Sequence, residues 1–284
     1  MIGLLLAAVS GLVWGVGDFA GGKASQRVDS KTVVVVSKAA SIPLLLLFLV
    51  LLPTAPHAGA LGWGAAAGAL GMVGMMVFYR AMAGGAMTIV APVSAVTSAL
   101  LPLVAGLISG ERPGGLALTG AACAIIAIGL VSLAPGTAGG PKISAGLLGM
   151  ALGAGVAFGL FFICLSAAGD AAGGDAGMWP VLGAQVTAVA LGAPLLLRRA
   201  ERGRIVPGGT PLRWLLAAGT LDMSANALYI LAVQRGDLSI IAPVASLYPV
   251  STVLLAMLVD RERLRPVQLA GLGLAATALV LVAS

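Results

Sequence analysis

The sequence predicts an all-α integral membrane protein of about ten transmembrane helices, arranged as two five-helix inverted repeats. Of the 284 residues, 60% are hydrophobic and only 9% are charged, and the mean hydropathy is +1.08. A soluble domain carries about 25% charged residues, so this chain cannot build a solvated surface and must face lipid. Long apolar runs recur along the chain, and one long stretch of it is duplicated.

Ten apolar runs reach the length of about 20 residues that a membrane-spanning helix requires. We number them spans 1 to 10, and they lie near residues 2–21, 32–52, 59–82, 86–109, 115–134, 145–168, 178–197, 213–233, 238–259 and 266–283. Span 1 has no basic residue before it and no convincing cleavage site, so it is interpreted as a membrane helix and not as a signal peptide. Turn formers predict a linker at 135–144 between repeats at 1–134 and 145–284.

The duplication is visible when the chain is shifted by 151 residues, which aligns residues 68–112 with residues 219–263 without a gap. Residues 91–93 and 242–244, for example, both read Ala-Pro-Val. Because Glu is scarce in this chain and Glu111-Arg112 aligns with Glu262-Arg263, the match indicates a duplicated unit and not a shared bias in composition.

The two repeats are predicted to have opposite orientations, because each contains an odd number of spans. Charge supports this independently. Thirteen Lys or Arg residues border the loops that follow odd-numbered spans, and two border those that follow even-numbered spans. Basic loops favour the cytoplasmic side, so both termini are expected to face outside. The net charge of +6 therefore indicates loops beside anionic lipid, and no nucleic-acid partner is expected.

Several short motifs resemble the EamA domain. They are Trp14-Gly15, Phe78-Tyr79-Arg80-Ala81, Ala91-Pro92-Val93, Pro102 and Glu111-Arg112, repeated in part as Leu228-Tyr229, Ala242-Pro243-Val244 and Glu262-Arg263. Tandem EamA domains form ten-helix members of the drug/metabolite transporter superfamily. The resemblance implies alternating-access carriage of a small solute, often as export, across a membrane expected to be the bacterial cytoplasmic membrane. It identifies no substrate and implies no cofactor. Two fused halves can complete a site within one chain, so a monomer is expected to suffice.

The strongest candidate for a binding residue is Asp222, near the middle of span 8. A charged side chain at the bilayer centre costs about 2.5 to 3.5 kcal/mol on insertion scales and is rarely kept without a use. Asn226 and Tyr229 follow at i+4 and i+7, on the same helical face. Asp222 is expected to bind a cationic group or a coupling proton, because desolvation disfavours its charged form. The structural alternative is neutralisation by Lys38 or Arg80, and the two interpretations can coexist.

Three further side chains within or beside spans are candidates for the same site. Asp18 lies near the end of span 1 on one face with Trp14, and could line a cavity mouth or pair with the basic segment that follows. Lys38 lies about two turns into span 2, where it could bind an anionic group or serve as the counter-ion of an acid. Tyr248 is a candidate for polar lining in span 9.

Four prolines are predicted to interrupt spans 4 and 9, at Pro92 and Pro102 in the first and at Pro243 and Pro249 in the second. Each proline removes a backbone donor, which membrane helices tolerate where protein or a cavity meets the exposed group. Broken helices at matching positions of two repeats would indicate a central site, whereas a simple packing kink is the structural alternative. The pairs Gly11 with Gly15 and Gly155 with Gly159 predict close helix packing.

Other classes of protein fit the sequence less well. The chain has one His, in a short loop, and no cluster of acids with His, so neither catalysis nor a metal site is expected. A channel or a structural subunit is disfavoured by the repeat. Proton-coupled export of an amino acid or amine, and facilitative or ion-coupled uptake of a sugar-like solute, both stay open. The aromatic content of 5% argues weakly against a stacking cage.

Overall fold

The computed structural model describes residues 2–84, 86–108, 114–133, 144–200, 209–235, 238–259 and 266–282. These ranges form helices, which in chain order are α1 (Ile2–Ser25), α2 (Ser30–Ala40), α3 (Ile42–Leu51), α4 (Ala58–Met82), α5 (Met87–Ile108), α6 (Gly115–Leu133), α7 (Ala145–Ala171), α8 (Trp179–Ala200), α9 (Thr210–Val233), α10 (Leu238–Ala245), α11 (Pro249–Val259) and α12 (Pro266–Val282). The predicted linker, except its boundary residue Ser144, and the two Glu-Arg motifs lie outside the described residues.

The helices account for the ten predicted spans, with spans 2 and 9 each divided into two helices within the described part of the chain. Five helical segments are by themselves long and apolar enough to cross a bilayer, namely Ile2–Ser25, Ser30–Leu51, Ala58–Met82, Ala145–Ala171 and Thr210–Val233. Large apolar side chains point outward, among them Ile108, Val50 and Leu258 at 75% exposure or more. Such a surface fits contact with lipid. The chain is a two-repeat, all-α, multi-pass membrane protein.

Proline positions explain where the divided spans resume. Pro43 lies in the first turn of α3 and Pro249 begins α11. The first turn of a helix tolerates proline, because its N–H would have no partner there in any case. The break in span 2 is confined to Ser41, whose N–H still donates to the Ser37 carbonyl at 3.1 Å, whereas span 9 breaks over residues 246–248.

The prediction that prolines interrupt both span 4 and span 9 is wrong for span 4. Pro92 and Pro102 lie inside α5, which continues from Met87 to Ile108. Hydroxyl groups of this helix donate to its own carbonyl groups, as Thr97 does to Val93 at 2.8 Å. Such bonds, together with packing by neighbouring helices, can support a membrane helix that contains proline. The breaks in this structure therefore do not fall at matching positions of the two repeats.

The two repeats interlock instead of packing as separate bundles. The most extensive helix contacts join α1 to α9, α4 to α7 and α8, α5 to α7, and α6 to α12. Each of these pairs takes one helix from each repeat. The helices α1 and α7 are the first spans of their repeats, and α4 and α9 are the third spans. The contact of α1 with α9 is therefore equivalent to the contact of α7 with α4, as the duplication in the sequence predicts. The interior of the protein is consequently the interface between its halves.

Glycines in the first helix of each repeat, α1 and α7, allow another helix to approach closely. A Cβ atom added at Gly11 would lie 2.6 Å from the carbonyl oxygen of Ala245, and one added at Gly155 would lie 2.6 Å from that of Ser94. Real side chains do not tolerate such a separation. Ser94 and Ala245 are aligned by the shift of 151 residues. The glycine pairs thus form the expected packing surfaces, one in each repeat.

Candidate functional site

A central cavity of about 490 Å³, including the open space at its mouth, lies between the two repeats. Polar side chains form one part of its wall: Asp18, Lys38, Asp222 and Asn226. Aromatic side chains form another: Trp14, Phe158, Phe161, Phe162 and Tyr248. Gly71 and Met75 of α4 complete the lining.

An ion pair between the repeats is the main polar feature of the wall. Lys38 Nζ of α2 lies 2.6 Å from Asp222 Oδ2 of α9, and the two side chains are 13% and 11% exposed. Of the two cations considered as partners for Asp222, Lys38 makes the contact and Arg80 is exposed. Because both members of the pair also line the cavity, neutralisation and a place in the candidate site occur together.

The break in span 2 holds Lys38 in place. Ser41, at the break, donates its hydroxyl hydrogen to the Lys38 carbonyl oxygen at 2.7 Å. The side-chain amide of Gln185 in α8 donates to the same carbonyl oxygen and to the Ser41 hydroxyl. Gln185 is 4% exposed. Sequence reasoning missed it, although an amide within an otherwise apolar span is a signal that could have identified it.

On the other side of the pair, Asp222 lies in an unbroken helix. The Asn226 side-chain amide donates to the Asp222 carbonyl oxygen at 2.7 Å, one turn back along α9. The structure therefore brings Asp222 and Asn226 together in the cavity wall, as their spacing predicts. Tyr229, the third residue of that predicted face, is fully buried and lies behind the wall.

Asp18 of α1 is the second acid in the wall. Its carboxyl interacts electrostatically with both Lys38 and Asp222 across the cavity. Within the described part of the chain, Lys38 is ion-paired to Asp222, and no cation lies within ion-pair distance of Asp18. The structure thus places Asp18 at the cavity and not against the basic segment that follows span 1.

Most of the aromatic wall comes from two helices of different repeats, α1 and α7. Trp14 of α1 contacts Phe162 of α7 with ring centroids 5.6 Å apart. Tyr229 supports both rings from behind, at 5.5 Å from Trp14 and 5.0 Å from Phe162. The low overall aromatic content does not show this arrangement, because the few aromatic residues concentrate around one cavity. The Phe158, Phe161 and Phe162 spacing in span 6 was the available signal.

Tyr248 lies in the break of span 9 and links it to α5. Its hydroxyl oxygen is 2.8 Å from Ser94 Oγ, and the neighbouring Ser98 and Ser246 hydroxyls are 3.5 Å apart. These serines are fully buried. The hydroxyl groups therefore form a polar cluster beside the non-helical backbone of residues 246–248.

The predicted prolines lie away from the charged wall. Pro92 and Pro249 line a separate apolar recess between α5, α11 and α12. Pro102 is buried within α5, and Pro243 belongs to α10. The prolines shape the helices around the site, and the described lining of the central cavity does not include them.

Comparisons with known proteins agree with this architecture. A family model described as "EamA-like transporter family" matches residues 1–133 and 145–284. No curated protein matches the sequence. Among solved structures, a chain described only as "Crystal structure of protein" has a TM-score of 0.68 and 15% identity, over 98% of this chain and 95% of that one. That similarity shows a common fold along nearly the whole length.

Proposed function

Because the chain belongs to the EamA-like transporter family, we propose that it is a secondary carrier for a small amino acid or amine, working by alternating access as a proton-coupled exporter. The observation that carries this proposal is the Lys38–Asp222 ion pair in the wall of a cavity between the two repeats. A charged pair in this position is costly to insert in a membrane and is seldom kept without a use.

The chemistry of the wall suits a solute with an ammonium group. A carboxylate accepts hydrogen bonds from an ammonium, and a lysine donates to a carboxylate, so the pair can exchange its internal contact for contacts with an amino acid or amine. The aromatic side chains opposite the charges supply apolar contact for the rest of the solute. Both kinds of group converge on one small cavity.

The position of the cavity supports alternating access. Lys38 belongs to the first repeat and Asp222 to the second, so a solute that replaces their contact acts directly on the interface between the halves. A ligand shifts a conformational equilibrium by its different affinity for the two states. Carriers of inverted-repeat architecture place their sites at such an interface near the bilayer midplane.

Proton coupling is proposed because the solute and a proton can compete for carboxylates of the same wall. In that scheme, uptake of a proton on one side of the membrane releases the solute, and loss of the proton on the other side restores the site. Flux from proteoliposomes should then increase when a pH gradient is imposed, and it should saturate with substrate concentration. Flux proportional to concentration without saturation would instead support a channel.

The substrate class can be identified by ligand-induced stabilisation of the purified protein. Amino acids, amines, sugars, nucleosides and cationic drugs would be compared on the wild type and on Asp222→Asn, because a ligand that binds the native state raises its apparent stability. Stabilisation by amines or amino acids that disappears in the variant supports the proposal. Stabilisation by sugars alone, or equal shifts in both proteins, contradicts it.

A further inference from the structure

The charged side chains around the cavity do not balance, since two carboxyl groups, those of Asp18 and Asp222, face a single lysine. We infer that Asp18 binds the one positive charge of the substrate, and that the carrier selects monocationic organic amines over zwitterions and neutral solutes. This inference rests on the proposed transport function and narrows its substrate class.

The charge of Lys38 is already in use. Its ammonium is 2.6 Å from the Asp222 carboxylate, and both side chains are nearly buried. An ionised Asp18 interacts with the members of this pair, which have opposite signs, so their effects on it oppose each other. A carboxylate without a counter-ion is costly in a poorly solvated site. One bound cation removes that cost, whereas a zwitterion brings a further carboxylate next to Asp18 and Asp222.

The groups around Asp18 offer it no other cation. Those that face it are Lys38 from α2, Tyr79 from α4, Asp222 from α9 and Tyr248 from the break in span 9. Among these described neighbours only Lys38 is positively charged, and it contacts Asp222. The charge of an ionised Asp18 can therefore be neutralised only from outside the described residues, by a proton bound to its carboxyl or by the cation of a ligand in the cavity.

The aromatic wall indicates an organic cation in preference to a metal ion. Trp14 lies one turn before Asp18 on the same face of α1, and three phenylalanines of α7 lie in the same cavity wall. Ring faces attract ammonium groups within about 6 Å of their centroids. Metal ions such as Mg²⁺ or Ca²⁺ require several oxygen ligands, and this wall consists mainly of apolar side chains.

The inference can be tested with three ligands of similar shape but different charge. Benzyltrimethylammonium is a monocation, neopentylbenzene replaces its nitrogen with carbon, and phenylalanine is a zwitterion. Ligand titrations followed by thermal stabilisation of the purified protein would give an affinity for each. We expect the wild type to bind the monocation most tightly. Tighter binding of the neutral compound or the zwitterion, or no binding of the monocation, overturns the inference.

Matched variants assign the charge to a residue. Asp18→Asn should weaken monocation binding by roughly 30-fold or more, as expected when one partner of a desolvated charge pair is removed. Asp170→Asn makes the same substitution at an exposed position at the end of α7 and should leave the affinity unchanged. Lys38→Met adds to the negative charge of the wall and should tighten monocation binding. Asp18→Asn should also fold, because it removes an uncompensated charge.

The outcomes separate this inference from the proposed function. If Asp18→Asn keeps the affinity of the wild type for the monocation while Asp222→Asn loses it, Asp18 is not the cation site but amine transport stands. If phenylalanine binds best and drives saturable flux, the carrier function again stands and monocation selectivity is wrong. If proteoliposomes show no saturable flux for any class of solute, the proposed function itself fails.

Discussion

Replacing Asp222 with asparagine removes the anionic partner of Lys38 and keeps the size of the side chain. The ammonium group left behind lies on a side chain that is only 13% exposed, so water can replace little of the lost interaction. Removal of one partner from a buried ion pair costs about 3–5 kcal/mol. Because the pair borders a cavity, we expect the lower end of this range, a loss of about 3 kcal/mol in the free energy of unfolding.

The reciprocal variant, Lys38→Met, leaves the Asp222 carboxylate unpaired and should be destabilised to a similar extent. The double variant removes both charges together. Replacing a buried ion pair by uncharged side chains is often neutral or stabilising, so the double variant should be more stable than either single variant. Such strong non-additivity is the signature of residues in direct contact.

The free energy of unfolding can be measured by titrating the protein in mixed micelles with a denaturing detergent and recording tryptophan fluorescence. Asp170→Asn, at an exposed position, is the control for the general effect of removing an acid and should change stability by less than about 0.5 kcal/mol. The reasoning is refuted if both single variants unfold like the wild type, or if their costs simply add in the double variant.

Three further predictions use the same unfolding measurement. Tyr248→Phe removes the hydroxyl that lies 2.8 Å from Ser94 Oγ, and should lower stability by about 0.5–1.5 kcal/mol; an unchanged value would mean that the hydroxyl cluster does not stabilise the break in span 9. Gly15→Ala drives a methyl group against the Tyr248 carbonyl and should cost about 1–3 kcal/mol, whereas Gly62→Ala, with nothing within 4 Å of the added Cβ, should have little effect; equal effects would contradict the close α1 contact. Gln185→Leu removes the amide donor to Lys38 and Ser41 and should cost about 1–3 kcal/mol; no loss would show that the break in span 2 does not depend on it.

The sequence predicted the helices and the duplication well because both depend on local information. The thickness of the bilayer sets the length of an apolar run, and it does so whatever the run packs against. The predicted spans 3 and 6, for example, began within a residue of α4 and α7. The duplication required only a comparison of the chain with itself.

Whether a proline-containing span continues as one helix or breaks is harder to predict from the sequence. Proline removes one backbone hydrogen bond, but neighbouring groups decide whether the helix continues. The helix α5 continues through Pro92 and Pro102, whereas span 9 breaks before Pro249. Span 2 breaks at Ser41, where the apolar run predicts a continuous helix. Local sequence could not distinguish these cases, because the deciding contacts come from other helices.

Composition and self-comparison of the chain are enough to predict a membrane protein of two related halves, and to identify Asp18, Lys38 and Asp222 as charges within or beside its spans. The partner of Asp222 depends instead on how the helices pack: it is Lys38, 184 positions away along the chain, and not Arg80. The tertiary structure also decided that Asp18 shares their cavity and that the aromatic side chains gather there. The physical reason is that the halves interlock, so each wall of the cavity is assembled from helices that are neighbours in space but distant in sequence.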